Sequence, residues 1–429
     1  MTQNKTIKNA AWIIGCRIIQ AVLGLIVTMI SARYLGPSGY GLINYAASIV
    51  AFFVPVMQLG LNSTLVQEII SDPDQEGEIL GTALAMTLVS SFACVIGISV
   101  FSLLANRGET QTILVCVLYS ILLIFQSVEM IKFWFQAKLM SRYTSITILV
   151  AYIVVSVYRI ILLVVGCSIY WYAISQAIDV AMIAATLLVL YNKMSEHKLR
   201  VSITRAQMLF SKSKHYIISG LMITVFAQTD RIMLKLMLDE AAVGYYSAAV
   251  SCATLTSFVF VAIIDSARPT ILEGKKISVE IFCHRQKILY SVIIVLALIQ
   301  SAVITAFSKL IVGILYGPAY HASVNALRIV VWFSTFSYLG AVRDVWILAE
   351  NKQKYLWMIN LSGATANVVM NAVLIPLYGV NGAAMASLIT QFFTNVIMGW
   401  VIRPISPSNK LMFQSLRIGF IQSYLRTWR

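Results

Sequence analysis

Apolar runs of about 20 residues recur along the whole chain, and only short polar segments separate them. A helix needs about this length to cross the roughly 30 Å hydrocarbon layer of a membrane. Composition agrees, because 11% of the residues are charged and 59% are hydrophobic, whereas a water-soluble protein carries about 25% charged residues. The pattern therefore predicts an all-α polytopic membrane protein.

The apolar runs predict about twelve transmembrane helices. We place them at about residues 8–33, 40–60, 79–104, 112–134, 144–166, 168–191, 215–238, 243–264, 288–316, 325–349, 355–376 and 378–402. Aromatic residues such as Tyr34, Trp134 and Trp400 stand at several predicted ends, as they do at membrane–water interfaces.

Basic residues predict the orientation, because Lys and Arg near membrane helices stay mainly on the cytoplasmic side. With the N-terminus inside, the predicted inner segments hold 23 of the 32 Lys and Arg residues, and the outer loops hold two, Arg33 and Arg107. We therefore expect both termini in the cytoplasm. The same bias accounts for most of the net charge of +15, so we expect no nucleic-acid partner.

Several motifs of enzymes and ATP-driven pumps do not occur in the sequence. The stretch "LEGKKIS" has the glycine and lysine of a phosphate-binding loop but lacks the upstream glycine. The six cysteines are scattered without metal-like spacing. Every predicted outer loop is shorter than about ten residues, which disfavours an external active site. We expect a carrier rather than an enzyme, with no cofactor and no metal.

The chain also has the pattern of an internal duplication. "LGPSGYGLINYAAS" at 35–48 and "LDEAAVGYYSAAVS" at 238–251 are identical at four of fourteen positions, and both join the first two spans of a six-span half. Because six is even, the halves would be parallel repeats about an axis along the membrane normal. We predict one six-helix lobe at 1–200, a second at 201–402, and a basic cytoplasmic tail at 403–429.

Four stretches resemble a known family. They are "ARYLGPSGYGLINYAAS", "TDRIMLKLMLDEAAVGYYSAA", "ILYGPAYHASVNALRI" and "PLYGVNGAAMASLI", and they are similar to segments of the polysaccharide repeat-unit flippases of the Wzx type. These flippases serve O-antigen and capsule synthesis and belong to the multidrug/oligosaccharidyl-lipid/polysaccharide exporter superfamily. The resemblance implies two six-helix bundles around a central cavity.

The same resemblance implies a function and its partners. Such a protein moves an undecaprenyl-pyrophosphate-linked oligosaccharide across the bacterial cytoplasmic membrane, from the inner to the outer leaflet. The implied partners are the lipid-linked oligosaccharide, membrane lipids, H⁺ or Na⁺ as coupling ions, and glycan polymerase machinery.

Charged residues inside the predicted spans are candidate site residues, because each costs about 2.5–3.5 kcal/mol on insertion scales. Arginine offers forked donors that suit a pyrophosphate. The candidates for substrate binding are Arg17, Arg159, Gln228, Arg231 and Lys235, and those for ion coupling or gating are Asp179 and Asp230. Two alternatives stay open: Arg17 snorkels to the cytoplasmic surface, and the charges around Asp230 form an ion pair that locks helices together.

Other functions are weighed against this one. A cation-coupled drug exporter or a peptidoglycan-precursor flippase of the same superfamily is the nearest alternative. A drug exporter would favour an acidic pocket, whereas the predicted spans hold seven cations and four anions, an excess of 7 − 4 = +3. A membrane glycan polymerase or ligase is disfavoured by the short outer loops.

Overall fold

The computed structural model describes residues 2–416, and it describes the side chains of residues 15, 16 and 19–416. Across this part of the chain the secondary structure is helical, with short turns and no strand. Two compact units are present: one runs up to Gln228 and the other starts at Thr229. The border between them falls within a single long helix, Ile203–Met237.

The first unit is built from eight helices and the first part of a ninth. They are α1 (Thr2–Met57), α2 (Leu65–Ser71), α3 (Glu76–Ala105), α4 (Thr110–Ser120), α5 (Leu122–Glu129), α6 (Lys132–Ala137), α7 (Ser141–Val165), α8 (Ile169–Met194) and α9 (Ile203–Met237). Its core contains Trp134, whose ring meets the rings of Phe135 and Tyr191 edge to face, each at 5.0 Å between centroids.

The second unit continues from the end of α9. Its helices are α10 (Glu240–Ala253), α11 (Ser257–Ile277), α12 (Val279–Leu315), α13 (Ser323–Ala349), α14 (Leu356–Tyr378), α15 (Val380–Phe392), α16 (Met398–Val401) and α17 (Ser406–Ser415). A π-helical turn, Phe393–Ile397, joins α15 to α16. Phe260 and Tyr338 stack in the core of this unit with their ring centroids 4.0 Å apart.

The predicted polytopic all-α fold is confirmed. Each of the twelve predicted spans falls on a helical segment: α1 supplies two, α4–α6 together form the fourth, and α10–α11 form the eighth. Within the described residues, nine helices are long and apolar enough to cross a membrane, or ten if α10 and α11, bent by 46°, count as one span. The chain is a multi-pass membrane protein.

Glycines mark two of the sharp turns. Gly36 interrupts α1 with φ 67° and ψ 175°, a backbone conformation that a residue with a side chain rarely adopts. Pro37 follows it, and proline suits the first turn of a helix because its missing N–H is not needed there. Gly166 ends α7 with φ 76° and lets the chain reverse into α8. The sequence "LGPSG" therefore separates the first two spans.

One connection that the sequence assigns to a loop is largely helical. α9 begins at Ile203, about twelve residues before the predicted start of the seventh span. In this extension the Arg205 Nη2 atom pairs with Asp72 Oδ2 at 3.1 Å, and Lys212 Nζ pairs with Glu68 Oε1 at 2.7 Å. A hydropathy pattern does not contain such ion pairs, so the helix predicted from the apolar run is shorter than the observed helix.

The connection between α11 and α12 differs from the prediction in the same way. The single residue Ser278 separates the two helices, and its hydroxyl accepts a hydrogen bond from the Ile281 backbone N–H at 3.1 Å. This N-cap starts α12 at Val279, whereas the ninth span is predicted from about residue 288. Polar capping fixes the helix start here, outside the apolar run.

Candidate functional site

Asp230 is the centre of a buried polar cluster in the second unit. Its side chain is 6% exposed. The Oδ1 atom accepts hydrogen bonds from Asn367 Nδ2 at 3.0 Å and Asn371 Nδ2 at 2.6 Å. The Oδ2 atom accepts hydrogen bonds from the hydroxyls of Tyr246 and Ser387, each at 2.5 Å. One carboxylate on α9 thus binds donors from α10, α14 and α15.

Helical spacing explains how the chain assembles this cluster. Asn367 and Asn371 are four residues apart on α14, so both lie on one face of that helix. Asn371 Nδ2 also donates to Asn367 Oδ1 at 3.1 Å, and the hydroxyls of Tyr246 and Ser387 are 2.9 Å apart. Hydrogen bonds to an ionised group are about twice as strong as neutral ones. The Asp230 carboxylate thus accepts four hydrogen bonds.

The cluster also carries oxygen atoms that can bind a cation. Asn371 Oδ1 is buried and has no hydrogen-bond partner among the described residues. The Asp230 carboxylate lies beside Asn371, and the hydroxyls of Tyr246 and Ser387 bind the other carboxylate oxygen. Oxygen ligands of this kind suit a hard cation. The chemistry of the cluster therefore fits either a proton on Asp230 or a small cation beside it.

Two predicted substrate ligands lie one turn apart on α9, next to this cluster. Arg231 is half-buried, and its Nε atom donates to Ser247 Oγ at 3.0 Å. Lys235 is 6% exposed, and its Nζ atom pairs with Glu240 Oε1 at 2.9 Å. Glu240 balances the charge of Lys235.

Arg159 is the centre of a second polar cluster, in the first unit. Its side chain is 5% exposed, and its Nε atom donates to Ser175 Oγ at 2.9 Å. The guanidinium carbon lies 5.9 Å from the centroid of the Tyr172 ring, and the Tyr172 hydroxyl donates to Ser31 Oγ. The Arg159 Nη2 atom is buried and has no hydrogen-bond partner within the described part of the chain.

Asp179 belongs to the same cluster, one turn beyond Ser175 on α8. It is half-buried, and its Oδ1 atom is buried without a hydrogen-bond partner among the residues described. The charge of Arg159 acts on Asp179, although no direct ion pair joins them in the described structure. Unsatisfied buried groups are uncommon in folded proteins. The free donor of Arg159 and the free acceptor of Asp179 therefore mark a place for a ligand or an exchanging proton.

The other two candidates have different surroundings. Gln228 lies in the first unit, where its Oε1 atom accepts a hydrogen bond from Ser48 Oγ at 3.1 Å. Arg17 lies within α1 by its backbone, but its side chain is outside the described residues. The structure thus brings Asp230 close to Arg231, and Arg159 close to Asp179. Gln228 contacts Ser48 instead.

Sequence reasoning missed most of the groups around the two charges. Asn367 and Asn371 belong to a polar stripe at helical spacing on the eleventh span, but the stripe alone does not name Asp230 as their partner. Tyr246 and Ser387 lie in the stretches "VGYYSAA" and "GAAMASLI", which read as apolar helix with small residues. Their roles depend on contacts between helices far apart in sequence.

The fold is similar to that of two solved membrane transporters. The chain superposes on the lipid II flippase MurJ in an inward closed conformation, with a TM-score of 0.73 and 14% sequence identity. The match covers 96% of this chain and 92% of the MurJ chain. The chain also superposes on a multidrug resistance MATE family transporter of the MOP superfamily in its inward-facing conformation, with a TM-score of 0.66 and 13% sequence identity. This match covers 91% of this chain and 96% of the transporter chain.

The sequence identifies the family. Residues 6–275 match the family model described as "Polysaccharide biosynthesis protein", and the chain belongs to this family. Comparison with curated proteins gives no match.

Proposed function

We propose that this protein is a flippase for undecaprenyl-pyrophosphate-linked oligosaccharide repeat units in the bacterial cytoplasmic membrane. It would work by alternating access between the two lobes predicted at 1–200 and 201–402, with both termini in the cytoplasm. Membership of a polysaccharide biosynthesis family and the fold of membrane transporters support this proposal.

The observation that carries the proposal is the incompletely bonded guanidinium of Arg159. A buried cation with a free N–H donor is costly in a membrane unless a ligand completes it. The Nε atom of Arg159 donates a hydrogen bond to Ser175, and its Nη2 atom has no hydrogen-bond partner among the described residues. Arginine suits phosphate groups, because its planar fork matches two phosphate oxygens. An anionic pyrophosphate fits this chemistry, and an organic cation does not.

The second part of the proposal is that Asp230 couples transport to an ion. Na⁺ would be bound by the Oδ1 atom of Asn371, which has no partner among the described residues, and by the carboxylate of Asp230. The hydroxyls of Tyr246 and Ser387 would be further oxygen ligands. Protonation of Asp230 would instead convert one of its oxygens into a donor. Either event changes the hydrogen bonds between α9 and the helices α10, α14 and α15.

Transport by the purified protein in liposomes tests the substrate. Three substrates are compared in the same preparation: an undecaprenyl-pyrophosphate-linked oligosaccharide, a peptidoglycan precursor on the same lipid, and a hydrophobic organic cation. The proposal predicts movement of the first and no accumulation of the cation. Movement of the peptidoglycan precursor alone would assign the protein to that neighbouring branch, and movement of the cation alone would contradict an anionic substrate.

A matched pair of variants tests the role of Arg159. Arg159→Gln removes the charge and the fork, and Arg159→Lys keeps the charge only. Lys309→Gln is the control, because Lys309 lies on α12 of the other unit. We expect transport to be lost in Arg159→Gln, lowered in Arg159→Lys and unchanged in Lys309→Gln. Parental transport by stably folded Arg159→Gln would remove Arg159 from the substrate site.

A further inference from the structure

An apolar groove runs between α11 and α12 of the second unit. It has a volume of about 290 Å³. Ile263, Ala267 and Ile271 line it from α11, and Ile288 and Val292 line it from α12. From residue 263 to residue 270 the helix rises about 10 Å. The groove is therefore long enough for a segment of one hydrocarbon chain.

The groove carries one cation, Arg285. The Nη1 atom of Arg285 donates to the backbone carbonyl of Thr270 at 2.5 Å, which fixes the side chain across the gap between the two helices. Gly274 makes room for it, because a Cβ atom at Gly274 would lie 3.1 Å from Arg285 Cδ and 3.3 Å from Nη1. The guanidinium is thus held at the groove by a backbone contact and a close glycine.

The charge of Arg285 has no anionic partner within the described part of the chain. No carboxylate pairs with Arg285 among the described residues, whereas nearby Arg268 pairs with Asp265 at 3.0 Å and Lys275 pairs with Glu350. Thr270 accepts through a neutral carbonyl oxygen. Arg285 therefore has one uncompensated positive charge and further N–H donors at the side of an apolar groove.

We propose that this groove binds an anionic membrane phospholipid. Arg285 binds the phosphate, and one acyl chain lies along Ile263, Ala267 and Val292. The predicted orientation places residues 268–287 at the cytoplasmic face, where basic pockets between membrane helices bind anionic headgroups. The proposed site is a lipid site separate from the two polar clusters, and it does not depend on the transported substrate.

Charge matching favours a phospholipid over the pyrophosphate-linked substrate. A phosphodiester carries one negative charge, which one arginine balances. A pyrophosphate carries more negative charge than a phosphodiester, and in the described structure only Arg285 lines this groove as a cation. A phosphatidylglycerol molecule has the required combination of one phosphodiester and acyl chains.

Native mass spectrometry of the purified full-length protein measures the binding. Dioleoyl phosphatidylglycerol is titrated against dioleoyl phosphatidylcholine, with the parent and Arg285→Gln. Loss of a charge-assisted contact should weaken phosphatidylglycerol binding by roughly tenfold. Lys276→Gln is the matched control, because Lys276 is exposed on α11 and outside the groove, and it should bind as the parent does.

A second variant tests the apolar part of the site. Ala267→Phe fills the groove and leaves Arg285 unchanged, so it should also lower phosphatidylglycerol binding, with thermal stability measured in parallel. Equal binding by Arg285→Gln and the parent, or equal binding of both phospholipids, would overturn the proposal. Displacement of phosphatidylglycerol by undecaprenyl pyrophosphate at equal concentration would also overturn it, because the groove would then belong to the substrate.

Discussion

The polar clusters of the two units hold buried charges of opposite sign and satisfy them to different degrees. Asp230 in the second unit accepts four hydrogen bonds from its own unit. Arg159 in the first unit donates through Nε to Ser175 and leaves Nη2 without a partner in the described residues. A saturated anion holds helices together, whereas an unsaturated cation is available for a ligand. The difference supports the proposal that Asp230 couples transport to an ion and that Arg159 binds the substrate.

Arg159 and Arg231 make the same local contact in different surroundings, so the surroundings distinguish the two polar clusters. Arg159 donates to Ser175 and Arg231 donates to Ser247, and in both pairs the serine is sixteen positions later in the chain. Arg159 is 5% exposed, and Arg231 is half-buried beside an anionic cluster. The same contact thus holds one arginine in the cluster with Asp179 and the other next to Asp230.

The largest expected effect follows from removing the anion. Asp230→Asn places an amide among four donors and should destabilise the protein by about 3 kcal/mol, because buried donors lose a charged acceptor. Thermal unfolding in detergent measures this. Asp265→Asn is the control, since Asp265 is an exposed aspartate in the same unit, and we expect a change within about 0.5 kcal/mol. Equal stability of both variants would mean that the hydrogen bonds of Asp230 do not stabilise the second unit.

Removing the cation should have a different result. Arg159→Gln deletes a buried charge that the described residues satisfy only in part, so we expect little loss of stability and at least about tenfold weaker binding of undecaprenyl pyrophosphate. Binding is measured by titration of the purified protein. Strong destabilisation with unchanged binding would reverse the assignment and make Arg159 a structural residue.

The asparagines of the second cluster should have intermediate effects. Asn371 donates to Asp230 at 2.6 Å and also to Asn367 at 3.1 Å, whereas Asn367 donates to Asp230 at 3.0 Å. Asn371→Ala should therefore cost about 2 kcal/mol of unfolding free energy and Asn367→Ala about 1 kcal/mol. Thermal unfolding of the two variants under the same conditions shows which one is less stable. Lower stability of Asn367→Ala would contradict the hydrogen bonds described for the two asparagines.

The smallest expected effects concern the two serines. Ser175→Ala and Ser247→Ala each remove one hydrogen bond to an arginine Nε atom, and each should cost about 1 kcal/mol. We expect Ser175→Ala to change substrate binding, because it frees the Arg159 guanidinium to reorient, and Ser247→Ala to change it less. Equal changes in binding would mean that the two arginines contribute alike.

The fold could be predicted from the sequence because its causes are local. Apolar runs of membrane length and the "LGPSG" turn are visible in the residues themselves. The helix extensions of α9 and α12 were not predicted, since ion pairs such as Lys212 with Glu68 and the Ser278 cap fix them. Neither contact changes the hydropathy of the segment.

The site was predicted only in part for a related reason. Arg159 and Asp230 attract attention because a charge within an apolar run is costly. Their partners Ser175, Tyr246 and Ser387 are residues that also pack ordinary membrane helices. Nothing in the sequence shows that Tyr246 and Ser387, 141 positions apart, meet at one carboxylate.

We propose that Asp230 couples transport to an ion while other residues bind the substrate. The most direct measurement is flipping of an undecaprenyl-pyrophosphate-linked oligosaccharide in liposomes, with imposed Na⁺ or H⁺ gradients, for the parent and Asp230→Asn at matched folded fraction. We expect one gradient to accelerate flipping by the parent, and we expect folded Asp230→Asn to bind the substrate without responding to either gradient. An undiminished gradient response of Asp230→Asn would mean that Asp230 does not couple the ion.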